Sequence, residues 1–116
     1  MGGAGCTEMK ARRKLKRGRY GEALRLLNKD TMIHPMLKAR ALAGLKRYEE
    51  AYASAMIEVK RLSRRSRGPV KPFLFAARLA HRLDRTQECL ELLQMARKRG
   101  ALPRSHKIIE GLRRVD

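Results

Sequence analysis

Apolar side chains recur along this chain every three or four positions, the period of one helical face, and nowhere alternate over a useful length as a strand requires. The clearest stretch runs from Tyr48 to Leu62, where Tyr48, Ala51, Tyr52, Ala55, Met56, Val59 and Leu62 share a face. The same spacing recurs in Tyr20, Ala23, Leu24 and Leu27, in Cys89, Leu92, Leu93 and Ala96, and in Ile108, Leu112 and Val115. Pro35 to Leu45 and Val70 to Leu83 each open near a proline suited to a first turn and continue in Ala and Leu, so they also predict helices. A first helix from Glu8 to Arg17 rests on Met9, Ala11 and Leu15 alone. The pattern predicts an all-α fold of about seven helices, residues 1–7 forming a Gly-rich, flexible tail and residues 8–116 a single domain.

Turn residues support this parsing. Gly68-Pro69 separates the fourth and fifth helices, Gly100 closes the sixth and Pro103 opens the last. Asp84 followed by Gln87 has the spacing of a capping box for the sixth helix. Short connections make successive helices antiparallel neighbours.

One phrase occurs three times, each time at a helix start: Gly18-Arg19-Tyr20-Gly21-Glu22-Ala23-Leu24, Lys46-Arg47-Tyr48-Glu49-Glu50-Ala51-Tyr52 and Asp84-Arg85-Thr86-Gln87-Glu88-Cys89-Leu90. All copies share Arg at the second position and Glu at the fifth. The glutamate suits the positive end of a helix, and the small sixth residue lets a neighbouring helix approach closely.

The phrase resembles the start of the second helix of a tetratricopeptide repeat, whose usual wording is Gly-x-Tyr-x-Glu-Ala. The middle copy matches best, with Leu37-Lys38-Ala39-Arg40-Ala41-Leu42-Ala43-Gly44-Leu45 before it, and Ala76-Ala77-Arg78-Leu79-Ala80-His81-Arg82-Leu83 stands in the same place before the third. The resemblance spans most of residues 8–116 and is specific over about a third. It implies a short array of antiparallel helical hairpins. The array is irregular: Tyr20 to Tyr48 is 28 residues and Ala51 to Cys89 is 38, against a family period of about 34, and Thr86 and Cys89 replace Tyr and Ala. The related pentatricopeptide family reads one RNA base per repeat through repeats of constant length, a register these spacings break, so no base-reading residue carries over.

Composition changes the picture more than any motif. In 116 residues, 29 Lys and Arg face 11 Asp and Glu, a net charge of +18. The basic residues form runs: Lys10, Arg12, Arg13, Lys14, Lys16, Arg17 and Arg19, then Lys60, Arg61, Arg64, Arg65, Arg67 and Lys71, then Arg97, Lys98, Arg99, Arg104 and Lys107, followed by Arg113 and Arg114. Self-repulsion at this charge opposes compactness, and solubility needs far less, so an anionic partner is implied, either a polyanion or an acidic surface. Arginine outnumbers lysine 19 to 10, and guanidinium forks match phosphate oxygens in pairs. Stacking platforms are poor. Trp is absent, and Tyr20, Tyr48, Tyr52, Phe73 and Phe75 sit mostly at core-facing positions, so binding rests on phosphate contacts and shape. The first two runs are the expected RNA-binding residues.

Catalytic and metal chemistry find little footing. His34, His81 and His106 have no partner at metal spacing, Cys89 takes a packing position, Cys6 lies in the tail, and adjacent Glu49 and Glu50 point apart on a helix. No enzyme activity, cofactor or metal is expected. No apolar run approaches the roughly 20 residues of a membrane span, and two cysteines without a secretory core suggest a reducing intracellular compartment. Met1-Gly2-Gly3-Ala4-Gly5-Cys6 approaches a myristoylation start, but Cys occupies the place preferring Ser or Thr. Met9 to Tyr20 is Arg-rich and acid-free like a mitochondrial presequence, with Glu8 and scarce Ser against the match. A small basic helical protein resembles an accessory ribosomal protein, and helical-repeat proteins of this kind are common in mitochondrial ribosomes. The resemblance therefore implies a non-catalytic ribosomal protein of the mitochondrial matrix, contacting rRNA phosphates and neighbouring proteins. The alternative is a tetratricopeptide-like adaptor whose Arg40, Arg47, Arg78, Arg82 and Arg85 receive an acidic protein or peptide.

Overall fold

A computed structural model describes residues 3–65 and 68–100. It holds six helices among them, α1 (Gly3–Lys16), α2 (Tyr20–Lys29), α3 (Pro35–Gly44), α4 (Tyr48–Ser63), α5 (Lys71–Arg82) and α6 (Thr86–Lys98), and no strand. The fold is all-α, with successive helices packed in pairs. The expected seventh helix, after Pro103, lies outside the described residues, as does Arg67. α1 begins at Gly3, ahead of the Glu8 start read from periodicity. Ala11 and Leu15 anchor it, but Met9, read as a third anchor, is 58% exposed.

The repeated phrase builds one turn three times. Its first residue lies in the left-handed region, with φ of 75° at Gly18, 62° at Lys46 and 59° at Asp84. The next residue is always Arg. Its N–H donates back to the carbonyl of Lys14, Leu42 or Ala80, closing the helix before it with the hydrogen bond of a Schellman motif. The carbonyl of the same Arg accepts from Ala23, Ala51 or Cys89 and opens the helix after it. Its guanidinium pairs with the phrase's glutamate, Arg19 with Glu22 at 3.7 Å, Arg47 with Glu50 at 2.5 Å and Arg85 with Glu88 at 3.8 Å. The shared Arg and Glu are thus a local pair at a helix start, and the small residue after Glu, Ala23, Ala51 or Cys89, is fully buried.

This geometry corrects the expected capping box. Asp84 takes the left-handed position that ends α5, and Arg85 precedes α6 with no side-chain cap. Gln87 reaches instead along its own helix to Glu91 at 3.5 Å.

By contact the chain divides into two compact units, residues 1–57 and 58–116, and α4 contributes to both. In the first unit, α1 packs on α2, and α3 packs on α2 and α1. Fully buried Ala11, Ala23, Ala39, Ala41, Ala51 and Ala55 bring the helices close. Tyr20 lies flat against Gly44, where any Cβ would collide with its ring. Ser54 Oγ donates to the Pro35 carbonyl at 2.8 Å, tying α4 to the start of α3. In the second unit α5 packs on α6 around Phe73, Ala76, Ala77, Cys89, Leu93 and Ala96.

Candidate nucleic-acid interface

The amphipathy of α1 decides where its charge goes. Ala11 and Leu15, four residues apart, are buried, which turns Met9, Arg12, Arg13 and Lys16 outward at the i, i+3, i+4, i+7 spacing of another face. On α3, Ala39, Ala41 and Leu42 are buried and Arg40 is exposed. Because α1 and α3 pack together, the two faces meet: Met9, Arg12, Arg13, Lys16 and Arg40 line a groove of about 370 Å³ with no carboxylate among them. Nearby, Glu8 contacts Arg12 along the same helix at 3.1 Å, with both side chains exposed. Such a pair is worth about 0–1 kcal/mol and leaves the guanidinium open to a competing phosphate.

The other residues of the first basic run separate from this groove. Lys14 reaches Glu22 of α2 at 3.3 Å, and Arg19 pairs with the same carboxylate. Lys10 and Arg17 are exposed beside the groove residues in sequence but do not line it. Arg40, grouped in sequence with an adaptor surface, is the residue that completes the basic groove. No periodicity within α1 could have revealed it, because only the α1–α3 packing places it there.

In the second unit Lys60, Arg61, Arg64, Arg65 and Lys71 are all exposed, with Arg61 held by Glu58 at 2.6 Å. Lys60 and Arg61 occupy the last turn of α4, where cations favour the negative helix end. Arg99 departs from its basic run. Its Nη2 donates to the carbonyl of Leu62 at 2.9 Å and to that of Arg65, while its guanidinium lies 4.3 Å from the centre of the Phe73 ring. Arg99 therefore closes the C-terminal end of α4 and is a packing residue. The rest of that run, from Arg104 onward, lies outside the described residues.

Of the adaptor arginines, Arg47 and Arg85 pair with phrase glutamates, while Arg78 and Arg82 lie exposed on α5. Tyr52 and Phe73 are buried, as their helical positions imply, and offer no stacking face. His34 Nε2 lies 2.9 Å from Asp30 Oδ2. That contact, and the Met32 N–H after it, hold the Asp30 carboxyl below its ordinary range. His81 is exposed and Cys89 buried, and burial pushes the Cys89 thiol up. Among the described residues no three metal-binding side chains gather, and no helix is long and apolar enough to cross a membrane. His106 and the Cys6 side chain lie outside the described residues.

Fold and site together define an all-helical protein of paired helices with a basic groove. No protein-family model, curated protein or solved structure matches the chain.

Proposed function

We propose that this is a non-catalytic, RNA-bound component of a ribonucleoprotein, with phosphates held by Arg12, Arg13, Lys16 and Arg40. The observation carrying this reading is the groove itself, where cations from two helices converge without a carboxylate in the lining. Guanidinium forks at fixed positions neutralise and orient a phosphodiester backbone, and little base selection is expected without exposed aromatic platforms. Lys60, Arg61, Arg64, Arg65 and Lys71 supply further phosphate contacts from the second unit.

The three equivalent turns support a tetratricopeptide-like description of the hairpins. With the high charge, that resemblance favours a ribosomal accessory protein, the mitochondrial ribosome being the particle proposed. The test has two parts. Binding to ribosomal RNA fragments should weaken by roughly three to five orders of magnitude between about 50 and 200 mM salt if six to ten phosphates are engaged. Arg12→Glu together with Arg40→Glu should weaken it further at every salt concentration and flatten the slope. In cells, the protein should sediment with mitochondrial ribosomal subunits and crosslink to rRNA through residues 10–19 and 60–71. A flat salt response would overturn the RNA reading, and sedimentation away from ribosomes would overturn the particle.

A further inference from the structure

The loop joining α2 to α3 is fixed so that it presents apolar side chains to solvent. Asp30 accepts the Met32 N–H on Oδ1 at 3.1 Å and meets His34 Nε2 on Oδ2 at 2.9 Å, its side chain only 6% exposed. Between these contacts Met32 and Ile33 project outward, 55% and 76% exposed. The nearly buried Asp30 carboxylate thus holds the turn of backbone on which Ile33 is exposed. Ile33 borders a groove of about 450 Å³ that also takes in Ile57, itself 55% exposed, and is lined by buried Leu24 and Leu42. Lys38 and Arg47 stand on its walls. Arg47 is engaged by Glu50, while Lys38 has no acidic partner among the described residues.

We propose that this groove docks an acidic amphipathic helix of a neighbouring protein, its apolar side chains seated between Ile33 and Ile57 and its carboxylates facing Lys38 and Arg47. The apolar lips suit a helix that presents residues at i, i+3, i+4 and i+7. The cations, on a chain of net charge +18, select an acidic one. A second copy of the chain brings the same charge and is repelled. Nucleic acid would set phosphates against the isoleucine lips, which offer them no hydrogen bond. The site is also separate from the basic groove. Lys38 and Leu42 lie four apart on one face of α3, and Arg40, midway between them, lies on the opposite face. RNA and a protein neighbour can therefore be held at once on two sides of one helix, and the docking inference does not depend on the RNA reading.

Fluorescence anisotropy of the full chain with labelled synthetic peptides tests this. One peptide carries leucines at helical spacing flanked by glutamates, a second has the same composition scrambled, and a third has lysines for glutamates. The ordered acidic peptide should bind about tenfold or more tightly than either control. Ile33→Asp and Ile57→Asp should each remove that binding with unchanged helical circular dichroism and unchanged RNA affinity. Lys38→Glu should weaken the acidic peptide and strengthen the lysine one. Equal binding of the scrambled peptide, or full binding by the isoleucine variants, would overturn the proposal. So would a dimer in sedimentation, or binding to anionic vesicles, that Ile57→Asp abolishes, since either assigns the patch to another occupant. Loss of RNA binding in Arg12→Glu/Arg40→Glu with peptide binding intact separates the two sites.

Discussion

Gly44 shows how one missing side chain fixes a packing arrangement. The Tyr20 ring occupies the space its Cβ would need, so α2 and α3 meet there only because residue 44 is glycine. Gly44→Ala gains helix propensity, about 1 kcal/mol at an open site, yet must displace a tyrosine ring. Overpacking costs about 1–3 kcal/mol, so the variant should unfold at lower denaturant than the parent, and Gly44→Ala with Tyr20→Ala should recover part of the loss. Asp30 makes a second residue-scale prediction. Hydrogen bonding from His34, then from the Met32 N–H, lowers its folded pKa below the ordinary 3.8. A lowered carboxyl pKa contributes stability above the unfolded value and loses it as pH falls through the folded one. Between neutral pH and about pH 4 the contribution should therefore hold, and it should fade below that. Asp30→Asn should be less stable at neutral pH and should lose less on acidification, as urea titrations across that range would show.

At the scale of elements, three turns share one conformation but not one amino acid. Gly18 takes its positive φ without cost, while Lys46 and Asp84 hold the same region with side chains that disfavour it. Lys46→Gly and Asp84→Gly should each stabilise the chain, by about 0.5–1 kcal/mol after glycine's entropy is counted, and Gly18→Ala should destabilise it by about 1 kcal/mol. Thermal unfolding of the three variants gives the comparison. The repeated phrase was visible in sequence, and so were the helix starts it marks. The left-handed residue before each Arg was not. In the third copy, Asp84 and Gln87 satisfy the spacing of a capping box, and only the hydrogen bond from Arg85 back to Ala80 shows that Asp84 ends one helix instead of starting another.

For the whole molecule, the net charge of +18 is the dominant long-range term. Local pairs such as Arg19–Glu22 and Arg61–Glu58 offset little of it, since exposed pairs contribute about 0–1 kcal/mol. Raising salt should screen the repulsion and raise the thermal midpoint. A polyanion such as ribosomal RNA, binding the folded chain, should raise it further at low salt, by about 2.7 kcal/mol of stability at a hundredfold excess over Kd. A midpoint indifferent to both would show that the cations are already compensated within the fold.

The sequence by itself determined the helical class, the ends of α2 to α6 within a residue or two, the apolar faces carrying buried Ala23, Ala51, Ala55 and Ala96, and the excess of positive charge, because periodicity, turn residues and composition act locally. Tertiary structure decided which charges act together. Arg40 joins Arg12, Arg13 and Lys16 because α3 packs against α1. Arg99, one cation in a basic run, caps α4 across a separation of 37 residues to the Leu62 carbonyl. Neither follows from spacing along the chain, since helical period sets the direction in which a side chain leaves its own helix and only packing sets what it meets there.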